Sequence, residues 1–294
     1  MVRIGVNPIV WSNDDDHALG GDISVQRCLS EARAAGYSGI ELGHKLPRDP
    51  QSLKALLAAA HLDLVSGWWG ARLLERSVQA EIDALEPHLN LLIAMGCDVL
   101  VLAEVTGAVH SIEGVHWGQR TVLHPSTLKG LAKDLTSLAE HCMQRGLQVA
   151  YHHHVGTVIQ SAADIHDLMK ASGHALGLLL DTGHAVVGGV SPLELLQEHG
   201  HRIHHVHLKD VRAGPVQTAE LKRSSFLDAV RAGMFTVPGD GMIAWDPIFA
   251  ALKALDYAKW LVVEAEQDPM LADPARYARM GYRFVRDQVQ SVAL

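Results

Sequence analysis

Four short apolar runs in the second half of the chain each end in side chains that can bind a metal ion. They end in His152-His153-His154, Asp181-Thr182-Gly183-His184, His205-Val206-His207 and Glu264-Ala265-Glu266. Charged and imidazole groups are costly to bury singly, and enzymes built on parallel strands keep their chemistry where the strands end. The pattern therefore favours a parallel α/β fold with a functional site at the carboxyl ends of its strands.

Short apolar runs alternate with longer amphipathic stretches along the whole chain, which predicts repeated βα units. Eight strands are predicted, at Arg3–Val6, Gly39–Leu42, Asp63–Ser66, Val99–Ala103, Gln148–His152, Gly177–Asp181, Ile203–His207 and Trp260–Glu264. Helices are predicted at Ser24–Ala35, Gln51–Ala60, Ser77–Met95, Ser126–Arg145, Ala162–Ala171, Pro192–His199, Asp246–Leu255 and from Pro274 to Val289. Eight such units predict an α/β fold of the (β/α)8 TIM barrel class.

The stretch 210–245 departs from this alternation. It is longer than an ordinary barrel loop, and its helix-like segment Ser224–Gly233 is followed by Pro238-Gly239-Asp240-Gly241. We expect a long insertion after the seventh strand that serves as a lid over the site or as a subunit contact. No linker or low-complexity tract divides the 294 residues, so residues 1–294 are expected to form a single barrel domain.

Composition narrows the classes of partner. A formal net charge of −8 leaves no basic surface for a nucleic-acid backbone, and a small molecule is the expected partner. Three cysteines without CxxC spacing suggest neither a disulfide framework nor a thiolate metal site, which favours a cytoplasmic location. No apolar run approaches the ~18 residues of a membrane span, and no signal-peptide pattern leads the chain. We therefore expect a protein that is neither exported nor embedded in a membrane.

The alternation of side chains along a strand predicts which polar groups converge inside the barrel. His152 and His154 share one face of the fifth strand, and Asp181, His207 and Glu264 end the next three. A lone buried group of this kind is explained by packing or hydrogen bonding, but four in consecutive strands need a cation to offset their charge. A mixed imidazole and carboxylate set suits Mn, Co, Fe or Zn better than calcium. We predict a divalent metal bound by Asp181, His207, Glu264 and either His152 or His154.

Several segments carry a resemblance to known proteins. The runs Leu180–His184, His205–Asp210 and Val262–Glu266 look like the xylose-isomerase-like barrel superfamily of sugar isomerases, epimerases and dehydratases. Further segments resemble one family within it, the inosose dehydratases (2-keto-myo-inositol dehydratases) of inositol catabolism, and they are Gly5–Asn13, Glu41–Asp49, Glu104–Gly107, Tyr151–His154 and Phe235–Gly241. The similarity spans nearly the whole chain.

The resemblance implies a metal site held by Glu, Asp, His and Glu on strands five to eight. Asp181, His207 and Glu264 match three of these positions, whereas His152 stands where many relatives carry glutamate. Either His152 replaces that carboxylate, or His154 or water completes the set. The resemblance also implies Mn²⁺ or Co²⁺ as the ion and glutathione as a further requirement. The sequence leaves open whether the chain forms a homo-oligomer.

The implied activity is that of a carbon–oxygen lyase, which dehydrates 2-keto-myo-inositol (scyllo-inosose) to 3D-3,5/4-trihydroxycyclohexane-1,2-dione. The ion would polarise the carbonyl, proton loss from the next carbon would give an enediolate stabilised by the ion, and the β-hydroxyl would leave as water. The candidates for proton transfer are Glu266, His154 and Lys209. The candidate substrate-binding residues, most of them at the ends of other strands, are Asn7, Glu41, Trp68, Arg72, Glu104 and His184.

Other functions remain open at this point. A metal-dependent ketose 3-epimerase or sugar isomerase on the same barrel would use the same metal and base, with reprotonation at carbon in place of water loss. A DNA-repair endonuclease, which the superfamily includes, would need a basic groove that the net charge argues against. A non-catalytic binding barrel would leave the converging polar side chains without a role.

Overall fold

Eight parallel strands form a closed barrel at the centre of the protein, in a computed structural model that describes residues 2–294. Neighbours in the barrel follow chain order, and the last strand pairs with the first from Arg3 opposite Trp260 to Val6 opposite Val263. The predicted (β/α)8 barrel is therefore confirmed. The strands are β1 (Arg3–Val6), β2 (Gly39–Leu42), β3 (Asp63–Ala71), β4 (Val99–Glu104), β5 (Gln148–His152), β6 (Leu176–Asp181), β7 (Ile203–Leu208), the short β8 (Asp210–Val211) and β9 (Phe235–Thr236) outside the barrel, and β10 (Trp260–Val263).

The helices that surround the barrel begin where the sequence carries capping residues. The side chains of Ser24, Asp49 and Ser77 each accept a hydrogen bond from a backbone amide in the first turn that follows. Proline occupies the first turn of four helices, where its missing N–H costs little. The helices are α1 (Val25–Ala35), α2 (Pro50–Ala59), α3 (Val78–Ala94), α4 (Pro125–Gln144), α5 (Ala162–Ala171), α6 (Thr182–Val187), α7 (Pro192–His199), α8 (Ala213–Lys222), α9 (Phe226–Arg231), α10 (Trp245–Ala254) and α11 (Pro274–Val292).

Apolar side chains fill the barrel beneath the strand ends. Val101, Ala150 and Leu179 belong to one buried cluster, and they share the inward parity of the residues that end β5 and β6. At the opposite end the ring of Trp260 packs with Val65 and Val262 inside the barrel. A Cβ added at Gly39 would lie 2.6 Å from this ring. Glycine at this position lets β2 pass the indole. The packed interior confines the polar chemistry to the carboxyl ends of the strands.

The segment between β7 and α10 has its own small structure. β8 pairs antiparallel with β9, and α8 and α9 lie between them. Asp210 ties the segment together, because its carboxylate accepts hydrogen bonds from Gly239 N at 3.0 Å, Gly241 N at 3.1 Å and Trp245 Nε1 at 2.8 Å. The predicted helix Ser224–Gly233 corresponds to the shorter α9, whereas α8 was not predicted. The role of this segment as an inserted lid or subunit contact stays a prediction.

One strand runs further than its sequence suggests. β3 was expected to end at Ser66 but continues to Ala71, because Trp68 to Ala71 pair with Val101 to Glu104 of β4. This extension carries the residues after it away from the centre of the barrel. None of the helices within residues 2–294 combines the length and the apolar character that a bilayer crossing requires.

Candidate active site

Four buried side chains meet at the carboxyl ends of β5, β6, β7 and β10. One ligand atom from each of His152, Asp181, His207 and Glu264 lies within 4.8 Å of the others. Asp181 Oδ2 is 3.5 Å from His152 Nε2 and 3.7 Å from His207 Nδ1, and the latter also contacts Glu264 Oε2. The structure thus brings together the residues predicted to bind a metal. Of the two histidines proposed for strand five, His152 joins this group and His154 does not.

Three atoms of this group, Asp181 Oδ2, His207 Nδ1 and Glu264 Oε2, make no well-formed hydrogen bond within residues 2–294, and the contact between His207 Nδ1 and Glu264 Oε2 lies inside the group itself. The other oxygen of Asp181 has a structural task, because Oδ1 accepts a hydrogen bond from His184 N at 2.7 Å and caps α6. Buried carboxylate oxygens without partners are costly. A divalent cation would provide a common partner for all three atoms, so the residues fit a metal ion.

Second hydrogen bonds orient both imidazole rings. His207 Nε2 lies 3.1 Å from Glu41 Oε1, and His152 Nδ1 lies 3.1 Å from the carbonyl oxygen of His153. Each ring then directs its other nitrogen toward Asp181. Metal-binding histidines in proteins are held in this way, with one N–H donated to a carboxylate or carbonyl and the other nitrogen left for the ion.

Glu41 is the centre of a buried hydrogen-bond network. Its Oε1 accepts from Ser66 Oγ at 2.5 Å and lies 2.8 Å from His205 Nε2, while its Oε2 accepts from Asn7 Nδ2 at 2.8 Å. Burial opposes its ionisation, but His207 and His205 hold the pKa of Glu41 well below its usual range. The structure shows Glu41 supporting His207, a candidate metal ligand, and the predicted contact of Glu41 with substrate stays a prediction.

Lys209 is fully buried beside the same group. Its Nζ lies 2.7 Å from Glu264 Oε1, 2.9 Å from Glu266 Oε2 and 3.6 Å from Asp181 Oδ2. Burial disfavours the ammonium, but these three carboxylates raise the pKa of Lys209 above its usual range. A Cβ added at Gly183 would lie 2.7 Å from Lys209 Cγ, so the glycine after Asp181 makes room for this side chain.

The two carboxylate oxygens of Glu266 have different surroundings. Oε2 pairs with Lys209, whereas the buried Oε1 has no hydrogen-bond partner within residues 2–294. Burial raises the pKa of Glu266 to about 7, and Lys209 offsets only part of that effect. A carboxyl group with such a pKa can both take up and release a proton near neutrality.

A cavity of about 260 Å³ opens next to these side chains. The indole of Trp68 contacts the rings of His152 and His154 edge-on, with centroid distances of 5.3 and 5.8 Å, and forms part of the wall. The predicted site residues that line the cavity are Asn7, Glu41, Trp68, His152, His154, His207, Glu264 and Glu266.

Three predicted substrate-binding residues lie outside this lining. The guanidinium of Arg72 is exposed and pairs with Glu75 at 2.9 Å, because the long β3 carries it past the cavity. Glu104 is buried, and its carboxylate accepts from the backbone amides of Leu73 at 2.7 Å and Thr106 at 2.9 Å. His184 lies behind His154, with ring centroids 3.8 Å apart.

Other residues line the cavity without having been predicted. Asp14 and Asp15 follow β1, and His110 follows β4. All three stand in loops after barrel strands, where this fold places functional groups. Their position in loops was the available signal, but a loop has no period that tells which way a side chain points.

The whole-chain comparisons agree with this architecture. The sequence matches the xylose isomerase-like TIM barrel family over residues 29–288. It is 43% identical to the rhizopine catabolism protein MocC of Rhizobium meliloti over 281 residues, which cover 96% of this chain and 86% of that protein. It is 39% identical to the inosose dehydratase of Geobacillus thermodenitrificans over 288 residues, which cover 97% of each.

Among solved structures, the probable 3-DHS dehydratase AsbF of Bacillus anthracis is similar in fold. The TM-score is 0.71 at 14% sequence identity, and the superposition covers 97% of this chain and 99% of that one. At this identity the likeness concerns the fold alone. With the identity to curated relatives over nearly its full length, the chain belongs to the xylose isomerase-like TIM barrel family, together with the inosose dehydratases.

Proposed function

We propose that this protein is a divalent-metal-dependent dehydratase that converts 2-keto-myo-inositol to 3D-3,5/4-trihydroxycyclohexane-1,2-dione in inositol catabolism. Relatives at 38 to 40% identity bear the name inosose dehydratase, which supports the substrate class. The observation that carries the proposal is the convergence of Asp181 Oδ2, His207 Nδ1 and Glu264 Oε2, which are buried beside a cavity and make no well-formed hydrogen bond to residues outside the group within 2–294.

The ion would be held by His152 Nε2, Asp181 Oδ2, His207 Nδ1 and Glu264 Oε2. When bound, such an ion is a Lewis acid that polarises a substrate carbonyl and acidifies the C–H bond next to it. Two imidazoles and two carboxylates suit Mn²⁺ or Co²⁺, and the two carboxylates balance the charge of a dication. A requirement for glutathione stays a prediction from the family resemblance.

We assign the removal of the carbon-bound proton to Oε1 of Glu266. This oxygen is unpartnered within residues 2–294, whereas Oε2 is held at 2.9 Å by Lys209, which fixes the carboxylate in place. Lys209 is itself surrounded by carboxylates, so its part is to hold Glu264 and Glu266 rather than to exchange protons. His154 Nδ1 lies 2.8 Å from the carbonyl oxygen of Val155. A neutral ring that donates there leaves Nε2 free to accept a hydrogen bond.

The remaining substrate contacts follow from the cavity lining. Asn7 and Trp68 offer an amide and an indole face to a polyol ring. Trp68 also covers His152 and His154, so a ring bound against it would displace water from the imidazoles. A cytoplasmic location and the absence of nucleic-acid and membrane partners stay predictions from the sequence, and the oligomeric state stays open.

The test is an assay of the purified protein after chelation and after reloading with Mn²⁺ or Co²⁺, each with and without glutathione. With 2-keto-myo-inositol as substrate, we expect ultraviolet absorption of the conjugated dione to appear only in the reloaded samples. Epimerisation of a ketose without dione would favour the alternative, a metal-dependent ketose 3-epimerase or sugar isomerase. Equal dione formation by the chelated protein would contradict the metal site.

A further inference from the structure

Two groups that the proposed mechanism does not use also line the cavity, and they approach each other from different loops. Asp15 follows β1, His110 follows β4, and Asp15 Oδ1 lies 3.8 Å from His110 Nε2. This separation is too long for a direct hydrogen bond, so both groups keep the capacity to bind a third oxygen atom. We propose that Asp15 and His110 form a second proton-transfer pair, which protonates the departing hydroxyl group of the substrate.

The position of His110 is closely constrained. The amide of the preceding Val109 donates to the carbonyl oxygen of Gly156 at 2.8 Å. Gly156 has φ +82, and a Cβ added there would lie 2.9 Å from the backbone nitrogen of His110. Only glycine allows the two loops to pack this tightly. As a result the ring of His110 is buried and lies 4.8 Å from the ring of His154, centroid to centroid.

The two nitrogens of His110 have different surroundings. Nδ1 is buried without a hydrogen-bond partner within residues 2–294, whereas Nε2 faces Asp15. We place the proton of the neutral ring on Nε2, because a proton on Nδ1 would be a buried donor without an acceptor. Burial lowers the pKa of His110 and raises the pKa of Asp15, so the ring stays neutral and the carboxyl of Asp15 carries the proton of the pair. Nε2–H of His110 faces Asp15 Oδ1 and stabilises the carboxylate that forms when this proton leaves.

Arg231, at the end of helix α9, connects the two loops that carry Asp15 and His110. Arg231 of α9 binds Asp16 through Nε at 3.0 Å and Nη2 at 2.7 Å, and its Nη2 also binds Glu113 Oε1 at 2.6 Å. Asp16 is the neighbour of Asp15, and Glu113 belongs to the loop that carries His110. The contact with Glu113 is bidentate, because Nη1 also binds Glu113 Oε2 at 3.2 Å, and such contacts fix relative orientation. The segment between β7 and α10 is therefore tied to both loops of the proposed pair.

The proposed pair gives the dehydration two separate proton carriers, and this step rests on the proposed function. The C–H proton passes to Oε1 of Glu266, and the electron pair left behind forms a carbon–carbon double bond. The bond from the next carbon to its hydroxyl oxygen breaks, and that oxygen takes the proton of the Asp15 carboxyl, which leaves a carboxylate facing Nε2–H of His110. Water and the enol of the dione are formed, with one proton gained by Glu266 and one lost by the Asp15–His110 pair.

This division of labour can be tested by separating proton abstraction from water loss. The metal-loaded wild type and the variants His110→Gln and Asp15→Asn are incubated with 2-keto-myo-inositol in deuterated water. Exchange of the ring proton next to the carbonyl is followed by NMR, and the dione by ultraviolet absorption. We expect both variants to retain exchange while dione formation falls by about 100-fold or more, the usual contribution of a general acid.

Exposed residues of the same types provide the controls, and His174→Gln and Asp22→Asn should behave as the wild type does. Thermal melting and Mn²⁺ affinity should be unchanged in the site variants. A parallel loss of exchange and dione, or dione formation at the wild-type rate, would overturn the assignment of Asp15 and His110. Wild-type protein that neither exchanges nor dehydrates this substrate would overturn the proposed function, and this pair with it.

Discussion

Nε2 of His207 lies 3.1 Å from Oε1 of Glu41, so the same ring directs Nδ1 toward Asp181 and Glu264. The two residues are 166 positions apart and stand on β7 and β2, which β10 and β1 separate in the barrel. The contact therefore crosses the barrel interior. It gives Glu41 control over the direction in which a candidate metal ligand points.

Glu41→Gln should weaken metal binding by about 10- to 100-fold, the usual effect of losing a carboxylate that orients a ligand histidine. The neutral amide cannot hold the His207 ring as a carboxylate does. Titration calorimetry with Mn²⁺ would measure the change. Glu104→Gln is a matched control and should leave the Mn²⁺ affinity unchanged, because within residues 2–294 this buried carboxylate binds only the backbone amides of Leu73 and Thr106. Equal affinities for all three proteins would contradict the role of Glu41.

Asp181→Asn and Glu264→Gln should each abolish metal retention and dehydratase activity while leaving the fold intact. Amides are much poorer ligands than carboxylates for these ions, but an amide oxygen can still accept the hydrogen bonds that His184 N donates to Asp181 and that Lys209 donates to Glu264, so the fold is retained. Elemental analysis after dialysis and thermal melting would check the two expectations. The control is Glu86→Gln on the outer helix α3, and the protein with this substitution should retain its metal. An active variant that holds no metal would refute the ligand assignment.

Arg231→Ala should loosen the loops that follow β1 and β4, since it removes the contacts to Asp16 and Glu113. We expect faster amide hydrogen exchange in residues 12–20 and 106–116 and a lower rate of dione formation. Arg231→Lys should have exchange and dione-formation rates between those of the wild type and Arg231→Ala, because a single ammonium cannot reproduce the bidentate geometry. Arg286→Ala, which removes only a pair with the neighbouring Asp287, is the control. Unchanged hydrogen exchange in Arg231→Ala would show that the loops are held by other contacts.

Gly177→Ala should destabilise the barrel by about 1–3 kcal/mol, the usual cost of overpacking. A Cβ at this position of β6 would lie 2.0 Å from Nδ1 of His204, which occupies the space above the glycine. Urea unfolding would measure the loss. Gly130→Ala in α4 is the opposite case, because nothing lies within 4 Å of its added Cβ, and helix propensity predicts a gain of up to about 1 kcal/mol. A stable Gly177→Ala would mean that His204 moves aside easily.

The free energy of unfolding should decrease as the pH falls from 6.5 to about 4, in part because of His204. Burial, with Lys259 nearby, lowers its pKa from 6.5 to about 4. His204 takes up a proton below pH 6.5 in the unfolded chain but only near pH 4 in the folded chain. Its contribution to the free energy of unfolding is therefore complete above pH 6.5 and is lost as the pH falls toward 4. Unfolding of His204→Gln should depend less on pH than that of the wild type. His174→Gln, which replaces an exposed histidine, should retain the wild-type dependence.

Local pattern was sufficient for most of the barrel. Apolar runs and the capping residues Ser24, Asp49 and Ser77 predicted the strands and most helices to within a few residues, because these signals act over one or two turns. The end of β3 was misjudged, since its last residues are strand only through pairing with β4. The short α6 was missed for a different reason: although the side chain of Asp181 caps it, its 6 residues are too few to show a helical period.

The sequence by itself determined the barrel and placed His152, Asp181, His207 and Glu264 at converging strand ends, because strand parity and strand order are local and repetitive properties. The tertiary structure alone decided that His152 rather than His154 joins that group, that Glu41 supports it from across the barrel, and that loop residues complete the cavity wall. Those outcomes depend on how the barrel closes and on loop conformations, which bring together atoms distant in sequence and follow no period that a linear pattern records.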